Sequence, residues 1–112
     1  MRHSCQTSRA ATIVAIEGRL NTASTPELHD QLKRAVQDGG SRLVLDLSGV
    51  TYVDSMALSV LVATLKLARS QGGDLVLLRP TPPVRSLLEA TCLDRIFLIF
   101  EDEESAAASF RE

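Results

Sequence analysis

The sequence predicts an α/β fold, a sheet of four or five mainly parallel strands accompanied by about four helices. Two observations carry this expectation. Apolar, β-type runs alternate along the chain with windows of helical periodicity, and residues 43–78 hold the whole pattern once. Leu43, Val44, Leu45 and Leu47 form a short, nearly continuous apolar run of the kind that crossover helices bury on both faces, and residues 75–78 form another. Between them, residues 55–71 contain no Gly or Pro, and Gly72-Gly73 stops the helix where a positive φ is wanted. The unit is βαβ with a right-handed crossover.

Taken in order, residues 12–18 read as a strand, because β-branched side chains recur up to a glycine. The residues before it, up to about Ala10, are a candidate for a pairing strand. Residues 21–27 form a loop that ends in a helix start. Either Thr25 caps with Pro26 at the first helical position, or Ser24 caps with Glu27 closing a capping box. The helix covers residues 25–38, with Leu28, Leu32, Ala35 and Val36 on one stripe and Gly39-Gly40 as its stop. His29 lies off that stripe and reads as solvated.

The central helix, residues 55–71, carries two apolar stripes when plotted at about 100° per residue. Ala57, Leu58, Leu61, Leu65 and Ala68 can face the sheet. Met56, Val60, Ala63 and Leu67 need another cover, either a neighbouring helix, which is favoured, or a partner protein. Ser55, Ser59, Lys66 and Ser70 share the polar side. Asp54 and Ser55 stand where the preceding strand hands over to this helix. Two readings of them stay open on the pattern alone, an N-cap that satisfies orphan N–H groups or a regulatory phosphate site.

Beyond the second strand, residues 79–83 make a rigid, proline-rich loop, with Thr81 as cap of a helix over residues 82–91. A polyproline ligand is the lesser reading, since Thr-Pro-Pro before an apolar-periodic segment is ordinary helix initiation. Residues 96–100 read as a last, fully apolar strand. The four acids at 101–104 then open a final helix over residues 102–110, where the helix dipole favours negative charge.

With 112 residues the chain has room for one core, and residues 1–112 read as a single domain. A net charge of -2, with basic residues scattered among acids, argues against a nucleic-acid surface. Cys5 and Cys92 share no metal-like spacing and read as plain thiols of a reducing cytoplasm. No apolar run approaches the roughly 18 residues a membrane span needs, and no hydrophobic signal region follows Met1. There is no glycine-rich phosphate loop, no zinc-spaced Cys/His set, and no nucleophile with a candidate base nearby. Two His and one Tyr leave little for acid/base work. The expectation is a cytoplasmic, non-enzymatic binding domain with no cofactor and no metal.

Several of these segments carry a family resemblance. The run Asp46-Leu47-Ser48-Gly49-Val50, then Val53-Asp54-Ser55 with Leu58 and Leu61, then Gly72-Gly73 before an apolar strand, resembles the sulfate transporter and anti-sigma factor antagonist (STAS) domain. It is more closely similar to the bacterial anti-sigma factor antagonists, or anti-anti-sigma factors. Gly18-Arg19-Leu20-Asn21 is similar to that family's G-x-L-D, and residues 82–88 and 91–97 extend the likeness over nearly the whole chain. The resemblance implies a regulatory protein that binds an anti-sigma factor of the serine-kinase type and so frees a sigma factor. In such proteins, phosphorylation by that kinase switches the antagonist off. The implied partner-binding residues are Gly18, Asn21, Thr22, Asp54, Ser55, Met56, Ala57, Ser59, Val60 and Ala63.

The same residues depart from the family pattern. Antagonists usually read D-S-S/T-G, with the second hydroxyl as phosphate acceptor; here the run is Asp54-Ser55-Met56-Ala57, and Met56 holds the acceptor position. Asn21 stands in place of the loop carboxylate, and Ala57 in place of a glycine. The expectation is therefore binding without phosphorylation at the usual position, with Ser55 as the rival acceptor. Three other roles found with this fold remain open. One is the binding subunit of an ABC lipid-transport complex, whose hydroxyl directly follows the Asp, as Ser55 does. Another is a stressosome-like scaffold or homodimer built on the second apolar stripe, and the third is a small-ligand or nucleotide-binding domain.

Overall fold

The computed structural model describes residues 2–7, 11–39 and 41–110. They form a five-stranded sheet in which each strand lies beside its sequence neighbours: β1 (Arg2–Thr7), β2 (Thr12–Leu20), β3 (Arg42–Val53), β4 (Asp74–Leu78) and β5 (Ile99–Phe100). β1 runs antiparallel to β2, and the other three pairings are parallel. The helices are α1 (Thr25–Gly39), α2 (Ser55–Ser70), α3 (Pro82–Ala90) and α4 (Glu103–Ala108).

Why residues 43–47 and 75–78 read as nearly continuous apolar runs is visible in their two faces. Leu43, Leu45, Leu75 and Leu77 join the main core with Leu28, Leu32, Leu61, Leu65, Val84 and Leu88 of the first three helices. Val44, Val76 and Leu78 point the other way, into a smaller cluster with Ala11 and Ala106 that Ile13, Phe100 and Phe110 flank. Side chains alternate across a strand, so burial on both faces demands apolar residues at every position.

The end of α2 is a Schellman motif. Gly72 takes φ 83°, its N–H bonds to Arg69 O at 3.1 Å, and Gly73 N–H reaches back to Ala68 O at 2.9 Å. Gly73 has a different job from Gly72: a Cβ there would run into the main chain of Ser41, whereas one on Gly72 would meet nothing within 4 Å. That close approach lets Asp74 N–H bond to Ser41 O at 2.9 Å, which starts β3 and β4 in register.

The structure corrects the expectation in several places. The last strand is only Ile99–Phe100, not residues 96–100. Cys92 adopts a left-handed conformation, φ 60°, and a 3-10 turn at Leu93–Arg95 follows, which leaves Ile96 and Leu98 exposed and only Phe97 buried. A five-residue apolar run therefore serves as connection more than as strand. Thr81 precedes α3 as expected, but its hydroxyl makes no cap; it donates to Val50 O at 2.7 Å. Pro82 and Pro83 leave the first two helical positions without an N–H to cap, and the hydroxyl instead ties α3 to β3. β3 also runs on to Val53, well beyond the apolar run of residues 43–47. Residues 8–10 of the candidate first strand, and Gly40, lie outside the described residues.

Candidate functional site

The C-terminal ends of β2 and β3 lie side by side, with Arg19 paired to Tyr52 and Leu20 to Val53. Ligands of open α/β sheets gather at this end of the strands. Here the two segments that follow, the loop after β2 and the start of α2, are joined by Asp54. Its main-chain N–H bonds to Leu20 O at 3.0 Å. Its Oδ1 accepts the Ala57 N–H at 2.9 Å, the N-cap of α2, while Oδ2 accepts from the Thr22 hydroxyl at 3.2 Å. One carboxylate thus holds the helix with one oxygen and the loop with the other. In the cap it relieves an orphan donor and complements the positive end of the helix.

The loop has its own internal frame. Asn21 N–H donates to Ser24 Oγ at 2.9 Å, and Ser24 N–H donates to Asn21 Oδ1 at 3.2 Å. The Ser24 hydroxyl also lies 3.0 Å from Arg19 O, and Thr25 Oγ1 donates to Asn21 O at 3.0 Å. The reciprocal pair is therefore Asn21 with Ser24; Ser24 with Glu27 does not form. Asn21, met in the sequence as a missing carboxylate, accepts an N–H as an aspartate would and shapes the turn into α1.

Three kinds of surface meet at this rim. Met56 is 52% exposed and Tyr52 is 42% exposed, both large apolar groups facing solvent. The Arg19 guanidinium sits 4.9 Å over the Tyr52 ring, a cation–π contact worth about 0.5–1 kcal/mol at an exposed site. Ser55 is exposed, and Ser59 Oγ donates to its carbonyl at 3.0 Å. Gly18, φ 102°, lets β2 turn near the rim, and its carbonyl accepts from Thr51 Oγ1 at 3.4 Å.

Not every residue of the predicted surface faces outward. Ala57 is fully buried and Val60 is 7% exposed, both in the main core. Neither side chain is available to a partner from these positions. Val60 shares the core with the α1 side chains, so the second apolar stripe of α2 is covered there by a neighbouring helix, while Met56 and Ala63 stay exposed and Leu67 is half-buried. The Arg19–Tyr52 pair was not foreseen. Thirty-odd residues separate the two in sequence, and only the strand register brings them together.

Among the described residues, no cluster of three or more His, Cys, Asp or Glu could hold a metal ion, and no helix is long and apolar enough to cross a membrane. Cys5 and Cys92 are free and exposed.

Fold and rim together are those of a small α/β module with a surface built at the strand ends and braced by a helix cap. The chain belongs to the STAS domain family, whose model matches residues 4–106. BtrV of Bordetella bronchiseptica, which carries the name of an anti-sigma factor antagonist, is 34% identical over 99 residues, 88% of this chain and 85% of that one. The anti-sigma-B factor antagonist of Staphylococcus aureus is 31% identical over 91 residues, 81% of this chain and 84% of its own. Among solved structures, a Thermotoga maritima protein named for the same class superposes with a TM-score of 0.86 at 28% identity, over 98% of this chain and 95% of that chain.

Proposed function

We propose that this protein is an anti-sigma factor antagonist. It binds an anti-sigma factor of the serine-kinase type through the exposed rim formed by residues 18–24 with Tyr52, Ser55 and Met56, and so frees a sigma factor in the cytoplasm. It does this as a binding module with no reaction of its own. The names of its relatives support an anti-sigma factor as the partner, and the serine-kinase type is what the family resemblance implies. The observation that carries the surface is the shared carboxylate: Asp54 binds Thr22 on the loop and Ala57 on α2, with Met56 exposed beside it. Two segments fixed to each other present one preorganised patch, which lowers the ordering cost of binding.

Binding proceeds without a phosphorylation switch at the usual position. Phosphoryl transfer needs an oxygen nucleophile in line with the γ-phosphate, and Met56 has none. Ser55 has an exposed hydroxyl, but successive helical residues point about 100° apart, so a kinase that addresses the second position finds Ser55 misdirected. Control then rests on the abundance of the protein.

Two measurements test this. Met56→Glu should weaken calorimetric binding to the anti-sigma factor by at least about tenfold if the thioether is desolvated in the complex; unchanged affinity removes the rim from the interface. Incubation with the kinase and Mg-ATP, followed by mass spectrometry, should find no phosphate on wild type and phosphate gained by the Met56→Ser, Ala57→Gly double variant. Stoichiometric phosphate on wild-type Ser55 overturns the unswitched reading.

A further inference from the structure

Next to the rim, α2 and the segment that closes α3 enclose a shallow groove of about 460 Å³. Its lining comes from Ser55, Leu58, Ser59, Val62, Ala63 and Lys66 on α2, with Thr91 and Leu93 opposite. Leu58, Val62 and Leu93 make the floor apolar, and Val62 and Leu93 are only partly buried, packed against the main core. The run from Ser55 to Lys66 follows three turns of α2, about 16 Å at 1.5 Å per residue. Lys66, exposed at the far end, forms no ion pair among the described residues, and no acid lines the groove.

We infer that this groove receives an amphipathic helix of the anti-sigma factor, about three turns long, with apolar side chains over Val62 and Leu93 and a carboxylate meeting Lys66. The inference rests on the functional reading above and extends its surface beyond the rim. Three observations select this occupant. The groove is continuous with the rim, since Ser55 belongs to both. Its length and apolar floor match the spacing of anchors at i, i+3 or i+4, and i+7 on a docked helix. The unpaired cation calls for an acid on the incoming surface, where opposite charges fix register and speed encounter. None of the described helices of a second copy of this chain supplies that surface. The apolar stripes of α1 and α3 are buried in the main core, Ala106 of α4 is buried on the other sheet face, and α2 brings a lysine.

The test measures affinity for the purified anti-sigma factor that binds the wild-type protein, by calorimetry at two salt concentrations. Lys66→Glu and Ala63→Arg should each weaken binding by about tenfold. Lys66→Glu should also reduce the salt dependence. Lys33→Glu, the same charge change on the exposed side of α1, should leave affinity unchanged. Restoring affinity to Lys66→Glu by an acid-to-lysine change on one helix of the partner establishes the pairing. If Met56→Glu weakens binding while both groove variants bind as wild type, the groove inference falls and the rim stands. If no anti-sigma factor binds wild type, both fall together. A wild-type dimer in light scattering that Ala63→Arg breaks assigns the groove to a second copy instead and overturns the inference.

Discussion

Gly73→Ala is the substitution that most directly tests how the central βαβ unit is held. A Cβ at position 73 would lie inside the contact distance of the Ser41 carbonyl and 2.5 Å from Ser41 Oγ, whereas ordinary contact begins at 3.4 Å. The hydroxyl can rotate away; the carbonyl belongs to the main chain and cannot. Relief therefore requires the backbones of Ser41 and Gly73 to part by roughly 1 Å or more, which stretches the 2.9 Å bond from Asp74 N–H to Ser41 O. Losing that bond costs about 1 kcal/mol, and the forced displacement adds about 1–3 kcal/mol, as overpacking does elsewhere. The expected loss is about 2–4 kcal/mol, a large part of a small domain's stability. At about 4 °C per kcal/mol it lowers Tm by about 8–16 °C. Gly72→Ala is the control. It meets open space but must hold φ 83°, so it should cost only about 1–2 kcal/mol. Urea unfolding followed by circular dichroism gives both values. A Gly73→Ala loss below 1 kcal/mol, or smaller than that of Gly72→Ala, refutes the account of the close approach.

Asp54→Ala removes the α2 cap and the tie to Thr22 together, and should destabilise by about 1–2 kcal/mol in urea titrations. Asp54→Asn keeps a capping oxygen and should lose clearly less; equal losses would argue against the cap. Asp102 should titrate below its ordinary 3.8, because the Ser105 N–H and then the Ser105 hydroxyl stabilise its charged form. Its folded pKa is depressed, so its contribution to α4 is present above 3.8 and is lost as pH falls through the folded value. An NMR titration of the Asp102 carboxyl with a midpoint at or above 3.8 contradicts this.

Much of the fold was legible because the signals were redundant. The α2 boundaries follow from a Gly- and Pro-free window closed by Gly72, and the strands at 43–47 and 75–78 announce burial on both faces by apolar runs that only Asp46 interrupts. What failed was where one residue type serves two ends. Apolar residues at 96–100 suit a strand equally well as a connection, and the left-handed Cys92 that decides between them carries no signature, since cysteine rarely takes that conformation. Thr81 looked like a cap because threonine often is one, and nothing local says that Val50 O lies within its reach. At the rim, sequence marked Asp54 and Thr22 but not that they bond, and it missed Arg19 with Tyr52 altogether, because strand register is a property of the assembled sheet. Helical periodicity placed Val60 on a separate stripe. Only the packing of α1 against α2 shows that stripe divided, with Val60 inside and Met56 outside.

The unequal dressing of the sheet has a consequence for how the chain is made. α1, α2 and α3 all contribute to the cluster on one face, whereas Ala106 of α4 is the helical contribution to the other. Translation delivers α4 after every strand has emerged, so a growing chain can complete its larger core while Val44, Val76 and Leu78 still lack their cover. Such a species exposes an apolar strip across the middle of a sheet, the kind of surface that chaperones hold and that aggregates form on. A chain halted before Glu103 should therefore retain near-native helix content by circular dichroism yet bind the dye ANS and sediment as aggregates. The six residues of α4 then matter for solubility during synthesis far more than their size suggests.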